Sequence, residues 1–200
     1  MGMDMKRYVI GITGASGSVY GLRTAEALLD FGAVVHLIVT DTGRRVMQYE
    51  TGENIEDWAL RQSKTYGSAL IVEDNTNLFS SVASGSYRVE GMIIVPCSMS
   101  TLAKIAHGIT PDLLSRAADV MLKQKRRLII VPRETPLSSI HIQNMLTLAN
   151  CGAHIVPAMP GFYCKPQSID AIVDFMVGKI LDCLDIENTL YQRWKGPEIE

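Results

Sequence analysis

The sequence predicts one α/β domain built on a single doubly wound parallel sheet, and three observations carry that expectation. Short apolar runs suited to buried strands recur at residues 8–12, 33–39, 69–72, 91–96, 127–132 and 153–156. Segments with apolar residues at helical spacing separate most of them, the alternation expected of parallel strands joined by crossover helices. No linker, repeat or low-complexity stretch breaks the pattern. Residues 1–200 therefore read as one domain, with a disordered start at 1–5 and a C-terminal tail at 185–200 that packs on a neighbour or on the site.

The first strand enters Gly11-Ile-Thr-Gly-Ala-Ser-Gly17, and helical periodicity resumes over 19–31. A glycine turn between strand and helix exposes N–H groups at a helix N-terminus, a natural seat for phosphate. Gly14 and Gly17 permit close approach of a ligand to the backbone, and Ser16 and Ser18 add hydroxyls. The glycine spacing lacks the full dinucleotide fingerprint, and the second strand ends in Ile38-Val-Thr40-Asp41, with a hydroxyl where a ribose-binding carboxylate would stand. A mononucleotide thus fits better than NAD, while a plain tight turn accounts for the same residues.

The remaining elements follow in order. Gly32 ends the first helix. Asp41 or Thr42 can cap a helix through Tyr49, and 51–68 is polar with one loose helix around 55–60. Ser80-Ser-Val-Ala-Ser-Gly-Ser86 carries too many hydroxyls for a core element. Cys97-Ser-Met-Ser-Thr101 leads into a helix through Ala106, and Asp112 caps another bearing Leu113, Ala117, Val120 and Met121. A helix spans 138–150 before Gly152, and a last amphipathic one spans 169–184.

Composition narrows the function. The net charge of −2 argues against broad nucleic-acid or anionic-membrane binding. Hydrophobic content of 47% with ten methionines suits a full core or surface buried between subunits. Cys97, Cys151, Cys164 and Cys183 are scattered, without metal-ligand spacing, as expected of reduced thiols in a cytoplasm. Neither a signal peptide nor a membrane span is legible, so a cytoplasmic location is expected.

Three strand ends carry ligand-ready residues: Thr13-Gly-Ala-Ser16, Pro96-Cys-Ser-Met-Ser-Thr101 and Pro132-Arg-Glu-Thr-Pro136. Ligands of open α/β sheets bind outside the carboxyl ends of the strands, so these loops should converge. Ser16, Thr40, Ser98, Ser100 and Thr101 suit a phosphate or a polar ring edge, although each alone reads equally as a helix cap. Arg133 can hold a phosphate and Glu134 can move a proton, or the two form an ion pair at the sheet rim. Arg116 and Lys123 share a helix face that is also readable as a solvated stripe. Phe162 and Tyr163 end a rigid proline loop that walls an apolar substrate or simply packs on itself. His141 and His154 sit in apolar surroundings and read as satisfied core or interface histidines.

The chain resembles the UbiX-type flavin prenyltransferases through Gly11-Ile-Thr-Gly-Ala-Ser-Gly17, Ala83-Ser-Gly-Ser86, Pro96-Cys-Ser-Met-Ser-Thr-Leu102, Arg116-Ala-Ala-Asp-Val120, Val131-Pro-Arg-Glu-Thr-Pro-Leu137, His141 with Asn144-Met-Leu146, and Pro160-Gly-Phe-Tyr163. The match runs over about residues 6–196. It implies a flavodoxin-like Rossmann homo-oligomer, usually a dodecamer, that joins the dimethylallyl group of dimethylallyl phosphate to reduced FMN at N5 and C6 with loss of phosphate. The product is the cofactor of UbiD-type decarboxylases, and no metal is implied. By motif, Gly14, Ala15, Ser16, Thr40, Ser98, Met99, Ser100, Thr101 and Arg133 would bind FMN. Tyr163 and Lys179 would hold the prenyl phosphate, with Arg116, Ser84 and Gly85 on the substrate side. Glu134, Lys123 and Glu50 would be catalytic, Glu50 entering from a neighbouring subunit. Two positions depart from the family pattern. Lys179 stands where many members have Arg, which exchanges a fork for a point charge, and Leu78 stands where some have Trp. The alternatives are an FMN-dependent cysteine decarboxylase and a non-catalytic flavin-binding partner of an aromatic-acid decarboxylase. Against the first, the chain has Pro-Cys-Ser-Met-Ser-Thr in place of a Pro-Ala-Ser-Ala-Asn-Thr loop, and its early histidine, His36, falls inside a strand.

Overall fold

The computed structural model describes residues 5–196. Most of the disordered start expected at 1–5, and the last four residues of the tail, lie outside the described residues. Six strands, β1 (Arg7–Ile12), β2 (Val34–Val39), β3 (Leu70–Glu73), β4 (Gly91–Cys97), β5 (Arg127–Pro132) and β6 (His154–Ile155), form one all-parallel sheet in the order 3-2-1-4-5-6. Seven helices accompany them: α1 (Ser18–Asp30), α2 (Asp41–Thr51), α3 (Ile55–Tyr66), α4 (Met99–Ala106), α5 (Leu113–Lys123), α6 (Ser139–Asn150) and α7 (Ile169–Asp182). The strand order reverses between β1 and β4, so the loops leaving those two strands diverge and leave a crevice between them.

Alternate residues of the central strands feed two cores, as the pleat requires. Tyr8, Ile10, Ile12, Val35, Leu37, Ile93 and Ile129 join Leu28 of α1 and Val177 and Ile180 of α7 on one face. Val9, Ile38, Met92, Ile94, Leu128 and Ile130 join Leu102 of α4 and Leu113, Ala117 and Val120 of α5 on the other. This double burial explains why β4 is a continuous apolar run and β2 is broken only by His36, with no polar alternation. The helix α1 lies so close to the sheet that a Cβ on Gly21 would sit 2.5 Å from the Val95 carbonyl oxygen. Only glycine lets the helix, and the loop before it, settle at that depth.

The structure corrects several boundaries. Thr40, not Asp41 or Thr42, caps α2, its hydroxyl accepting from the Gly43 N–H at 3.1 Å. The loose helix of the polar stretch is a full one: Asn54 caps α3, and Ile55 and Trp58 are buried against the first core. Two apolar residues one turn apart suffice there because α1 supplies the opposing surface. The sixth strand keeps only two residues, since it stands at the sheet edge and pairs on one side alone. Exposure of His154 on that edge overturns its reading as a core histidine, while the His141 ring serves α6 by accepting from the Ser138 N–H.

Candidate active site

The loops at the carboxyl ends of β1, β2, β3 and β4 enclose an open cleft of about 420 Å³. Gly14, Thr40, Thr42, Asn75, Ser98, Ser100, Thr101 and Lys104 line it. Its frame is set by Thr13, which is fully buried. The Thr13 hydroxyl donates to the Pro96 carbonyl at 2.8 Å and accepts from the Ser98 N–H at 2.8 Å, so one side chain welds the first loop to the end of β4. Caps Thr40, Ser98 and Asp112 place the N-termini of α2, α4 and α5 around this cleft. The helix dipoles of α2 and α4 favour an anion here, while the Asp112 carboxylate already caps α5 and Asp41 also lines the cleft. A Cβ on Gly14 would lie 2.4 Å from Thr42 Cγ2, so the cradle exists only because residue 14 is glycine.

Lys104, Asn75 and Thr42 were not legible as site residues in the sequence. Lys104 sits one turn past Ser100 on α4, and helical side chains lean toward the N-terminus, which carries its ammonium back to the cleft. Its Nζ lies 3.9 Å from Asp112 Oδ2. The serine-to-lysine spacing of four was the available signal.

The first loop differs from expectation. The amides at the start of α1 are not open to a phosphate, because the Glu50 carboxylate of the same chain occupies them. Gly17 N–H donates to it at 3.0 and 3.1 Å, and Ser18 N–H at 3.0 Å. Burial alone would raise the Glu50 carboxyl, but hydrogen bonds from the Ser16 hydroxyl and the Ser18 and Gly17 amides outweigh it and hold it below the usual carboxylate range. The expectation that Glu50 enters from a neighbour is thereby corrected: the end of α2 delivers it to its own chain's loop. Sequence cannot foresee a contact spanning thirty-odd residues between two helix ends.

Arg133 Nε donates to the Ser16 carbonyl at 3.2 Å, which joins the end of β5 to the first loop. Among the described residues no ion pair links Arg133 to Glu134. The Glu134 carboxylate instead accepts from the Thr135 N–H at 3.0 Å and stays exposed, and a small apolar pocket bounded by Leu137, Met145, Pro157 and Met159 adjoins both residues. Ala15 and Met99 are buried behind the loops, which leaves only their backbone at the surface of the site.

Tyr163 and Lys179 are brought together through a ring cluster. Tyr163 meets Phe175 edge-on at 5.6 Å, Phe175 meets Tyr191 at 5.1 Å, and Lys179 Nζ stands 5.7 Å from the Tyr191 ring. Trp194 closes on Tyr163 at 5.8 Å and was missed in the sequence, where a tail tryptophan carries no periodic signal.

Other residues expected at the site stay apart from it within this chain. Arg116 is spent on the Ala83 carbonyl at 3.2 Å and on Asp119 at 2.8 Å. The Gly85 carbonyl accepts from Arg126, and the Ser84 hydroxyl pairs with Ser86. Lys123 is exposed on the last turn of α5, near the start of β5 and hence at the opposite edge of the sheet from the cleft. The 74–87 segment runs down α5 in place of a crossover helix and carries the serines with it. Leu78 and Phe79 on this segment are both exposed, Phe79 completely.

The buried His36 bridges Glu73 at 2.8 Å and the Tyr87 hydroxyl at 3.0 Å, tying this segment to β2, which is a structural use of the early histidine. Burial pushes the Cys97 thiol far up, so it is no nucleophile despite its place beside Ser98. Among the described residues no helix is long and apolar enough to cross a membrane, and no group of His, Cys, Asp and Glu could hold a metal ion.

The family model described as Flavoprotein matches residues 2–184. The flavin prenyltransferase UbiX of Alkalihalophilus pseudofirmus is 47% identical over 192 residues, covering 94% of this chain and 96% of that protein. The crystal structure of AnUbiX (PadA1) in complex with FMN and dimethylallyl pyrophosphate superposes with a TM-score of 0.91 at 40% identity, covering 98% of this chain and all of that one. A dodecameric FMN-dependent Ubix-like decarboxylase from Escherichia coli gives a TM-score of 0.88 at 37% identity, over 95% of this chain and 100% of that chain. Length, fold and identity agree throughout: the chain belongs to the flavoprotein family and, within it, to the flavin prenyltransferases of the UbiX type.

Proposed function

We propose that this chain transfers a dimethylallyl group from dimethylallyl phosphate to N5 and C6 of reduced FMN, and that its product serves a UbiD-type decarboxylase. The observation that carries the reading is the single rim along which the hydroxyl-lined cleft, the Arg133–Ser16 bridge and the Glu134 pocket adjoin. The glycine cradle at Gly14, the converging helix dipoles and Lys104 suit the phosphate end of FMN; Gly14, Ala15, Thr40, Ser98, Met99, Ser100 and Thr101 would hold it, with Ser16 and Arg133 toward the ring. Reduced FMN, when bound, supplies the nucleophilic ring positions. Arg133 and Lys179 supply positive charge for a departing phosphate, and Glu134 is free to deliver a proton to it. The rings of Tyr163, Phe175 and Trp194 offer a wall that keeps water from an allylic cation.

Arg116, Lys123, Ser84 and Gly85 reach such a site only from a second copy, which supports a homo-oligomer with sites at subunit junctions. Fully or largely exposed Tyr49, Phe79, Met159 and Phe162 supply surface for that assembly, and a dodecamer is the expected form. Four unpaired cysteines suit a reducing compartment, the cytoplasm. Anaerobic incubation with reduced FMN and dimethylallyl phosphate, read by mass spectrometry of the released flavin, tests the proposal. A flavin heavier by one dimethylallyl unit is expected. Bound but unmodified FMN would overturn the catalytic reading, and absence of FMN binding would overturn the site.

A further inference from the structure

Residues 187–196 cross the outer side of α7 and end on the ring cluster that holds Tyr163. One carboxylate fastens them. Asp182 Oδ2 accepts from the Tyr191 hydroxyl at 2.6 Å and from Arg193 at 3.0 Å, while Oδ1 accepts from Arg193 at 2.6 Å and from the Asn188 amide at 3.0 Å. Arg193 also stands over the Tyr191 ring at 5.3 Å. The surface of α7 is shaped for this crossing. A Cβ on Gly178 would lie 2.4 Å from the Tyr191 ring and 2.9 Å from Asn188 Oδ1, and the Gly178 carbonyl accepts from Asn188 at 3.3 Å. The residue after Arg193 is Trp194, whose ring meets Tyr163, and a cleft of about 310 Å³ opens between residues 163–165 and 192–196.

We propose that Asp182 is a positioning residue: its carboxylate latches the C-terminal segment to α7 and thereby sets Trp194 against Tyr163 as a wall of the prenyl-phosphate pocket. The inference rests on the prenyl-transfer reading for the identity of that pocket, not for the latch. All four hydrogen bonds to Asp182 come from residues within six positions of Trp194, so their loss frees the segment that carries the ring. Carboxylate geometry matters because Arg193 presents its two terminal nitrogens to the two oxygens at once, an arrangement an amide cannot reproduce.

The test uses the full chain and two variants that attack the latch from opposite sides, D182N on α7 and R193Q on the exposed tail, where folding is not at stake. Trypsin must extract the Arg193 guanidinium from Asp182 before it cleaves there. In D182N, cleavage after Arg193, measured by mass spectrometry against cleavage after Lys195, should accelerate about tenfold, the effect of losing one charge-assisted hydrogen bond. Both variants should raise KM for dimethylallyl phosphate several-fold while FMN affinity holds. D182E should restore much of the wild-type behaviour, and D182N with W194A should be no worse than W194A alone. Unchanged cleavage in D182N would refute the latch. Released tails with an unaltered KM would refute its link to the pocket. If the wild-type protein transfers no prenyl group, the function proposed above fails while the cleavage ratio still reads the latch.

Discussion

Removing the Glu50 carboxylate tests how the first loop is held. Glu50 receives the Gly17 and Ser18 amides at 3.0–3.1 Å and so acts as a remote cap on α1. Losing a helix N-cap costs about 1 kcal/mol, and a carboxylate at the positive helix end adds about 0.3–1 kcal/mol, so Glu50→Ala should cost about 1–2 kcal/mol. Glu50→Gln keeps an acceptor but not the charge, and should cost about half as much. For a chain of this length each kcal/mol lowers the melting temperature by ~2–4 °C, giving a drop of about 2–8 °C for Glu50→Ala.

The charge part has a definite pH dependence. The folded-state pKa is depressed, so the contribution is fully present above the unfolded value of about 4.3 and disappears as pH falls through the lower folded value. Wild-type and Glu50→Gln melting curves, taken at equal protein concentration, should therefore differ at pH 7 and draw together as the pH falls from about 4.3 through the lower folded value. Equal melting temperatures for wild type and Glu50→Ala at pH 7 would refute the capping role. A gap that widens on acidification would refute the sign.

Three further outcomes are expected. Glu134→Gln should leave FMN binding intact and slow prenyl transfer by roughly 10²–10⁴-fold, the range of general acid–base catalysis; near-normal turnover in a stopped assay would remove Glu134 from proton transfer. Thr13→Val removes the donor to Pro96 and leaves the half-buried Ser98 N–H without its acceptor, so denaturant titration should show a loss of about 1–3 kcal/mol together with weakened FMN binding. Lys104→Gln should weaken FMN about tenfold while riboflavin, which lacks the phosphate, binds as before; equal loss for both flavins would place Lys104 away from the phosphate.

Much of this protein is determined locally and was legible in the sequence. Strands buried on both faces are largely apolar runs, so β1, β2, β4 and β5 declared themselves, and Asp112 announced its helix because capping is a contact over three residues. The hydroxyl-rich strand ends pointed to one crevice because a parallel sheet brings all its carboxyl ends to one edge. Contacts between distant residues were settled by the tertiary structure alone. A charge pattern cannot say that Glu50 fills the α1 amides in place of a phosphate, that Arg133 reaches Ser16 in preference to Glu134, or that Lys123 lies at the far edge of the sheet. Those outcomes depend on the depth at which α1 sits over Gly21, the direction in which α5 runs and the path of the tail across Gly178. Each is a compromise of packing over the whole domain, and close packing leaves a single arrangement in which every buried atom has a neighbour.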